Sequence, residues 1–116
     1  MKVGEIVEVL GLEVTAGADG VGREVKGGYT GDLLSDVMAH ARPGDLWITI
    51  QGHQNVVAVA VLTEVAGVVI CGGVEPERDT LERADREGVP VLRTRLSAFE
   101  VAGRLYSLLK GKRDAG

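Results

Sequence analysis

Three short apolar runs in the second half of this chain each end in small or polar residues, and no other feature constrains the fold as much. Leu46-Trp47-Ile48-Thr49-Ile50 passes into Gln51-Gly52-His53-Gln54-Asn55, Val68-Val69-Ile70 into Cys71-Gly72-Gly73, and Val91-Leu92 into Arg93-Thr94. The intervals between them are long enough for helices. Strands joined by crossover helices lie parallel, so the three endings are expected on one edge of one sheet. In open α/β sheets that carboxyl edge is where ligands bind. The pattern therefore predicts an α/β fold with a binding rim, and names neither ligand nor reaction.

A chain of 116 residues is sized for one domain with a single core. Its 45% hydrophobic and 26% charged content is that of a globular protein rather than a disordered one. The longest apolar stretch, residues 56–62, falls far short of the roughly 20 residues that span a bilayer. No long apolar segment with a cleavage site opens the chain, so no secretory leader is expected. The single cysteine cannot form an internal disulfide, which suits a reducing compartment and a cytoplasmic location.

Net charge is −4, and aromatics are only 3% of the chain. A nucleic-acid binder would carry a basic face with stacking rings, so neither nucleic acid nor membrane is an expected partner. The basic residues gather only at Lys110, Lys112 and Arg113, where they complement the negative end of a last helix.

Spacing supplies the remaining elements. Val3, Ile6, Val7 and Leu10 fall on one helical face. A short strand over residues 12–15, a turn at 17–20 and a second strand over 24–26 follow. Helical spacing returns over 32–41 and stops at Pro43-Gly44, and a strand covers 45–50. Residues 55–66 have the β-branched content of a strand. They must nevertheless connect two parallel strands, so a buried helix is expected; the propensity difference is only tenths of a kcal/mol per residue. Pro76 suits the first position of the next helix, Leu81 and Ala84 its buried side, and Gly88 its stop. In the last helix Ser97 and Glu100 form a capping box, and Leu96 with Val101 a hydrophobic staple. Phe99, Ala102, Leu105, Tyr106 and Leu109 make its apolar stripe, and Gly111 its end. The chain divides into an N-terminal piece (1–26), an α/β core (27–110) and a tail (111–116).

Recognised catalytic motifs are missing. There is no GxxxxGK[ST] phosphate loop, and GADGVG at 17–22 lacks the order and the strand–helix context of a dinucleotide fingerprint. His40, His53 and the lone Cys71 have no zinc spacing, so neither metal nor cofactor is expected. The candidate ligand groups are Gln51, Gly52, His53, Gln54 and Asn55, with Cys71, Gly72 and Gly73, and Thr94 and Arg95. The first five enter a helix, where side chains and free amides could meet an anion or a base. Equally, they could simply cap that helix, with Asn55 as N-cap. A Cys71–His53 nucleophilic pair is geometrically conceivable, but a lone strand-end cysteine is usually a small buried hydrophobe.

Several stretches carry a family resemblance: Leu33-Leu34-Ser35-Asp36-Val37-Met38, Gly44-Asp45-Leu46-Trp47-Ile48-Thr49-Ile50, Val69-Ile70-Cys71-Gly72-Gly73 with Glu75-Pro76, and Gly88-Val89-Pro90-Val91-Leu92. From about residue 27 to 109 the chain resembles a DRTGG domain, and most directly the small stand-alone bacterial DRTGG proteins. The family is similar to the N-terminal domain of HPr kinase/phosphorylase and, more distantly, to that of Mur ligases. The resemblance implies a layered α/β/α fold with a largely parallel central sheet. DRTGG modules also accompany CBS domains in regulatory pyrophosphatases and occur in long phosphate acetyltransferases, where they resemble regulatory or oligomerisation parts. Where the family name has Asp-Arg this chain has His53-Gln54, and in place of Thr-Gly-Gly it has Cys71-Gly72-Gly73. The planar arginine fork best suited to a phosphate is thereby lost. The kinase chemistry of HPr kinase belongs to a different domain and does not carry over.

The resemblance and the residues together predict a non-catalytic regulatory module. It would bind a small polar or phosphorylated metabolite, a nucleotide among them, at the rim, and self-associate as a homodimer. The alternative is an interaction subunit that docks to a larger enzyme and binds nothing small, supported by the valine-rich stretch at 56–65 and an exposed-looking carboxyl-terminal helix. An enzyme comes third, and would need Cys71, His53 and either Asp45 or Asp32 to act together.

Overall fold

The computed structural model describes residues 1–115, with side chains through Gly111. Five strands form one sheet in the order β1-β5-β4-β3-β2, where β1 is Glu13–Ala16, β2 Gly27–Thr30, β3 Asp45–Thr49, β4 Gly67–Ile70 and β5 Val91–Arg93. From β2 through β5 the strands are parallel; only β1 runs antiparallel, beside β5. The expected largely parallel sheet is present.

Crossover helices α2 (Leu34–His40), α3 (Asn55–Thr63) and α4 (Arg78–Glu87) link the parallel strands. Their buried Val37, Val56, Val57, Ala60 and Ala84 pack with Trp47, Val68, Ile70 and Val91 of the sheet. The opposite face is covered by α1 (Val3–Leu10) and α5 (Ala98–Ala115), whose Val3, Ile6, Val101 and Leu105 pack on Leu46, Ile48, Val69 and Leu92. Alternate residues of β3 and β4 thus feed opposite cores, and all four residues of β4 are buried. Such central parallel strands read as unbroken apolar runs because both faces are covered. The valine-rich stretch is the helix α3; Glu64 ends it in the left-handed conformation, at φ 58°.

Five local expectations need correction. No sheet strand occupies 24–26: the strand-like pairing at Glu24 is an isolated bridge to Lys2, and the second strand is Gly27–Thr30. Two glycines hide it from a propensity reading, and an edge position tolerates them. Pro76 lies ahead of α4, whose N-cap is Glu77. Gly111 does not end α5, which continues to Ala115, so residues 111–115 belong to the helix rather than to a separate tail. A glycine inside a helix costs about 1 kcal/mol, too little to stop one already propagating. Finally, the α5 stripe divides: Leu105 is buried, but Phe99 and Tyr106 are 88% and 63% exposed. The capping box is half formed, with the Glu100 N–H donating to Ser97 Oγ at 3.2 Å while the Glu100 carboxylate pairs with Arg104. Lys112 and Arg113, assigned from sequence to the helix dipole, have side chains outside the described residues.

Candidate functional site

The parallel order places the ends of β3, β4 and β5 on one rim, and backbone bonds join them there. The Cys71 N–H donates to the Thr49 carbonyl at 2.8 Å, and the Thr94 N–H to the Ile70 carbonyl at 3.0 Å. The two glycines bridge toward the β5–α5 connection, Gly72 N–H to the Leu96 carbonyl (2.8 Å) and Gly73 N–H to the Thr94 carbonyl (2.9 Å). Both glycines have positive φ, 70° and 75°, and a Cβ on Gly72 would meet nothing. Their amides are thus already bonded within the protein. An anion cradle of free glycine N–H groups is not what this loop forms.

Gly52 brings the β3–α3 loop into the same rim. Its carbonyl accepts from the Glu77 N–H (2.9 Å) and from the Thr80 hydroxyl (2.7 Å), and a Cβ on it would sit 2.9 Å from the Glu75 carbonyl oxygen. His53 Nδ1 accepts the Asn55 N–H at 3.1 Å, and His53 Nε2 lies 4.0 Å from Glu77 Oε1. The helix-capping role expected of Asn55 therefore falls partly to His53: Asn55 is the first residue of α3 and gives its own amide. Gln51 donates through its side chain to the Asp32 carbonyl at 3.2 Å.

Two residues that fix this rim escape a sequence reading. Asp32 Oδ1 accepts from the Thr49 hydroxyl (2.8 Å) and from the Ile50 N–H (2.9 Å), holding the end of β3 where the ladder stops. By sequence it looks like the opening of α2, and nothing local signals its long-range partners. Arg93 clamps the glycine loop: Nη2 donates to the Gly73 carbonyl (2.9 Å) and Nε to the Val74 carbonyl (3.2 Å), while Glu75 and Glu13 pair with the same guanidinium at 3.0 and 3.6 Å. An arginine closing an apolar strand was the available signal. Charge-assisted bonds of this kind are the stronger class.

Arg95 is exposed and has no ion pair among the described residues. It lines an open depression of about 510 Å³ beside β1, together with Gly11, Glu13, Arg93, Thr94 and Leu96. Gln51 to Asn55 and Cys71 to Gly73 share the rim but do not line that depression. No group of three or more His, Cys, Asp or Glu side chains placed to hold a metal occurs among the described residues. None of their helices is long and apolar enough to cross a membrane.

Of the two carboxylates offered for an enzymatic triad, Asp32 lies at the rim but is engaged by Thr49 and Ile50, and Asp45 is misplaced. Asp45 opens β3, at the opposite end of the strand from the rim, where its carboxylate accepts the Arg42 N–H at 2.9 Å. Cys71 is fully buried, and burial, with a smaller contribution from the Asp32 charge, pushes its thiol up to about 11. Ionisation is favoured in the unfolded chain over the folded one, so stability tied to this thiol is complete at neutral pH and declines only as pH rises through the alkaline range toward 11. Iodoacetamide at neutral pH should leave Cys71 unmodified in the folded protein and alkylate it readily in urea. Equal rates in both states would show that the strand end is open to solvent.

The model of the DRTGG domain family matches residues 5–108. No curated protein matches the chain in sequence. Among solved structures, the chain is similar to the CBS and DRTGG domains of the regulatory region of Clostridium perfringens pyrophosphatase, complexed with the activator diadenosine tetraphosphate. The TM-score is 0.69 at 18% identity, over 90% of this chain and 45% of that one, so the likeness shows the fold, and the chain spans less than half of that relative.

Proposed function

The chain belongs to the DRTGG domain family, and from that premise we propose that it is a non-catalytic regulatory module that binds a small phosphorylated metabolite, a nucleotide foremost, at the carboxyl rim of the sheet, and that self-associates. The observation that carries the reading is the convergence of three strand ends beside an unpaired arginine, Arg95, at the edge of an open depression. Because the Gly72 and Gly73 amides are spent, recognition falls to side chains. Arg95 supplies the planar fork suited to a phosphate, at a different position from the arginine of the family motif. Thr94 lies beside it, while His53 and Gln54 present polar groups on the neighbouring loop. The regulatory region of the pyrophosphatase, with its bound dinucleotide activator, supports a nucleotide as the class to try first. The buried thiol fits action in a reducing cytoplasm.

Thermal unfolding against ATP, ADP, AMP, diadenosine tetraphosphate and a sugar phosphate tests this reading. A bound ligand at a hundred times its dissociation constant stabilises by about 2.7 kcal/mol. For a chain of this size that raises Tm by roughly 10 °C. Arg95→Ala should abolish most of the shift without lowering the unliganded Tm, since Arg95 supports nothing in the fold. No shift with any of these compounds removes the reading.

One observation favours the second reading, a subunit that docks on a larger enzyme: the exposed aromatics of α5 lie together in a groove away from the rim. A stoichiometric protein partner recovered from the native host, with no dependence on added nucleotide, would select it.

A further inference from the structure

A groove of about 860 Å³ runs along the free edge of β2. The strand itself is the floor. Phe99 and Tyr106 of α5 form one wall, and Arg42 and Pro43 after α2 the other. Phe99 is 88% exposed and Tyr106 63%, seven positions apart on one helix face, and neither contributes to the core below. Two large rings held in water at such spacing serve no folding purpose.

The strand beneath them lacks a partner on one side. β2 is the last strand in the order and pairs only with β3. The Gly31 N–H donates to the Ile48 carbonyl at 3.1 Å, and Tyr29 stands opposite Trp47. In a parallel ladder, alternate residues bond the same neighbour. Tyr29 and Gly31 therefore turn their backbone groups inward, and Gly28 and Thr30 turn theirs out; both are exposed. An edge without proline or bulge is a template for another strand.

Charge indicates which strand. At the amino end of this edge Lys26 and Arg42 outnumber the single carboxylate of Asp45; at its carboxyl end stand Asp32 and, in the first turn of α2, Asp36. The Tyr29 hydroxyl donates to the Asp36 carboxylate and, with His40 close by, holds that carboxyl below its usual range, so the acidic end stays charged at neutral pH. A strand with the same charge order, laid antiparallel, sets each basic end against an acidic one. The chain itself supplies such a strand, and two-fold pairing makes the match on both sides at once.

We propose that a second copy of this chain adds its β2 antiparallel to this one. Gly28 then bonds the partner's Thr30 and Thr30 the partner's Gly28, while the two Tyr29 residues face each other across the two-fold axis. The sheet becomes continuous through both copies, and Phe99 and Tyr106 are covered by the partner's α5. This rests on the self-association in the reading above and gives it a surface; it uses none of the rim residues.

Light scattering should give about twice the 12.2 kDa chain mass, and Phe99→Glu with Tyr106→Glu should return the mass to that of one chain with unchanged circular dichroism. Hydrogen exchange supplies a second readout: the Gly28 and Thr30 amides should be protected at high protein concentration and exchange freely on dilution or in the double variant. A wild-type chain that stays monomeric overturns the proposal. A dimer that survives the double substitution, with Gly28 and Thr30 exchanging freely, overturns this surface while leaving self-association standing through another face. Protection of those two amides only when a foreign protein is added overturns the second copy as occupant. The nucleotide panel, repeated on the double variant, should give wild-type shifts, so loss of the dimer and loss of the rim site are read separately.

Discussion

Gly17→Ala should remove about 2–6 kcal/mol of stability, a large share of what a domain of this size holds. Gly17 turns the chain from β1 into a short 3-10 segment with φ 69°, its N–H donating to an Asp85 carboxylate oxygen at 2.8 Å. A Cβ built on it lies 1.9 Å from the Val89 carbonyl oxygen and 2.3 Å from the carbonyl carbon. The obstacle is backbone just ahead of β5, so no rotamer change relieves it. Left-handed strain alone costs about 1–3 kcal/mol, and forcing extra volume into a packed site roughly 1–3 more. A domain holds only about 5–15 kcal/mol in total. Gly11→Ala is the control: φ there is 68°, but a Cβ would meet nothing. Urea titration should therefore show a modest drop in midpoint for Gly11→Ala and a much larger one for Gly17→Ala. Equal drops would deny the close approach of Val89 to the turn.

The expected sheet came from what its strands had to bury. β3, β4 and β5 are apolar runs flanked by helix-length intervals, and a parallel strand covered on both faces leaves that signature. Topology also settled α3, where β-branched residues argued locally for a strand. β2 shows the reverse case. Gly27 and Gly28 carry no side-chain pattern, and Gly28 lies under Leu105 of α5, whose Cδ2 would be 2.9 Å from a Cβ there. That neighbour lies almost eighty residues away in sequence and leaves no local trace. Phe99 and Tyr106 misled for a related cause, since apolar spacing marks a face without saying what covers it.

At the rim, convergence was legible and bonding was not. Strand order alone brings Thr49, Cys71 and Thr94 together, and the bonds among them follow. Whether glycine amides face a ligand or a neighbouring carbonyl depends on the β5–α5 connection, whose path no pattern in Gly72-Gly73 encodes. For the same reason the rim contacts of Asp32 and Arg93, seventeen to twenty residues distant, could not be read from the sequence, although both residues were in view there.

Trp47→Ala should lower the unfolding free energy by about 3–5 kcal/mol, the range for deleting a large buried aromatic. Trp47 is fully buried among the α2–α4 side chains, and its indole N–H donates to the Gly31 carbonyl at 2.8 Å. Two effects are therefore superposed, a cavity in the core and an orphaned carbonyl just past the end of β2. Trp47→Phe separates them, keeping much of the ring volume while removing the donor; the lost bond should cost about 1 kcal/mol beyond the smaller cavity. Hydrogen exchange should show the distinction. In Trp47→Ala protection falls through both cores, because global unfolding becomes more frequent. In Trp47→Phe the excess exchange should concentrate at Gly31 and its neighbours in β2, since that strand has a single ladder partner and the indole is its second tether. Were the two variants to unfold at the same midpoint, the packing of the ring would contribute nothing beyond its hydrogen bond. The edge strand would then depend on the indole for its position alone, and any pairing of copies through β2 should weaken equally in both variants.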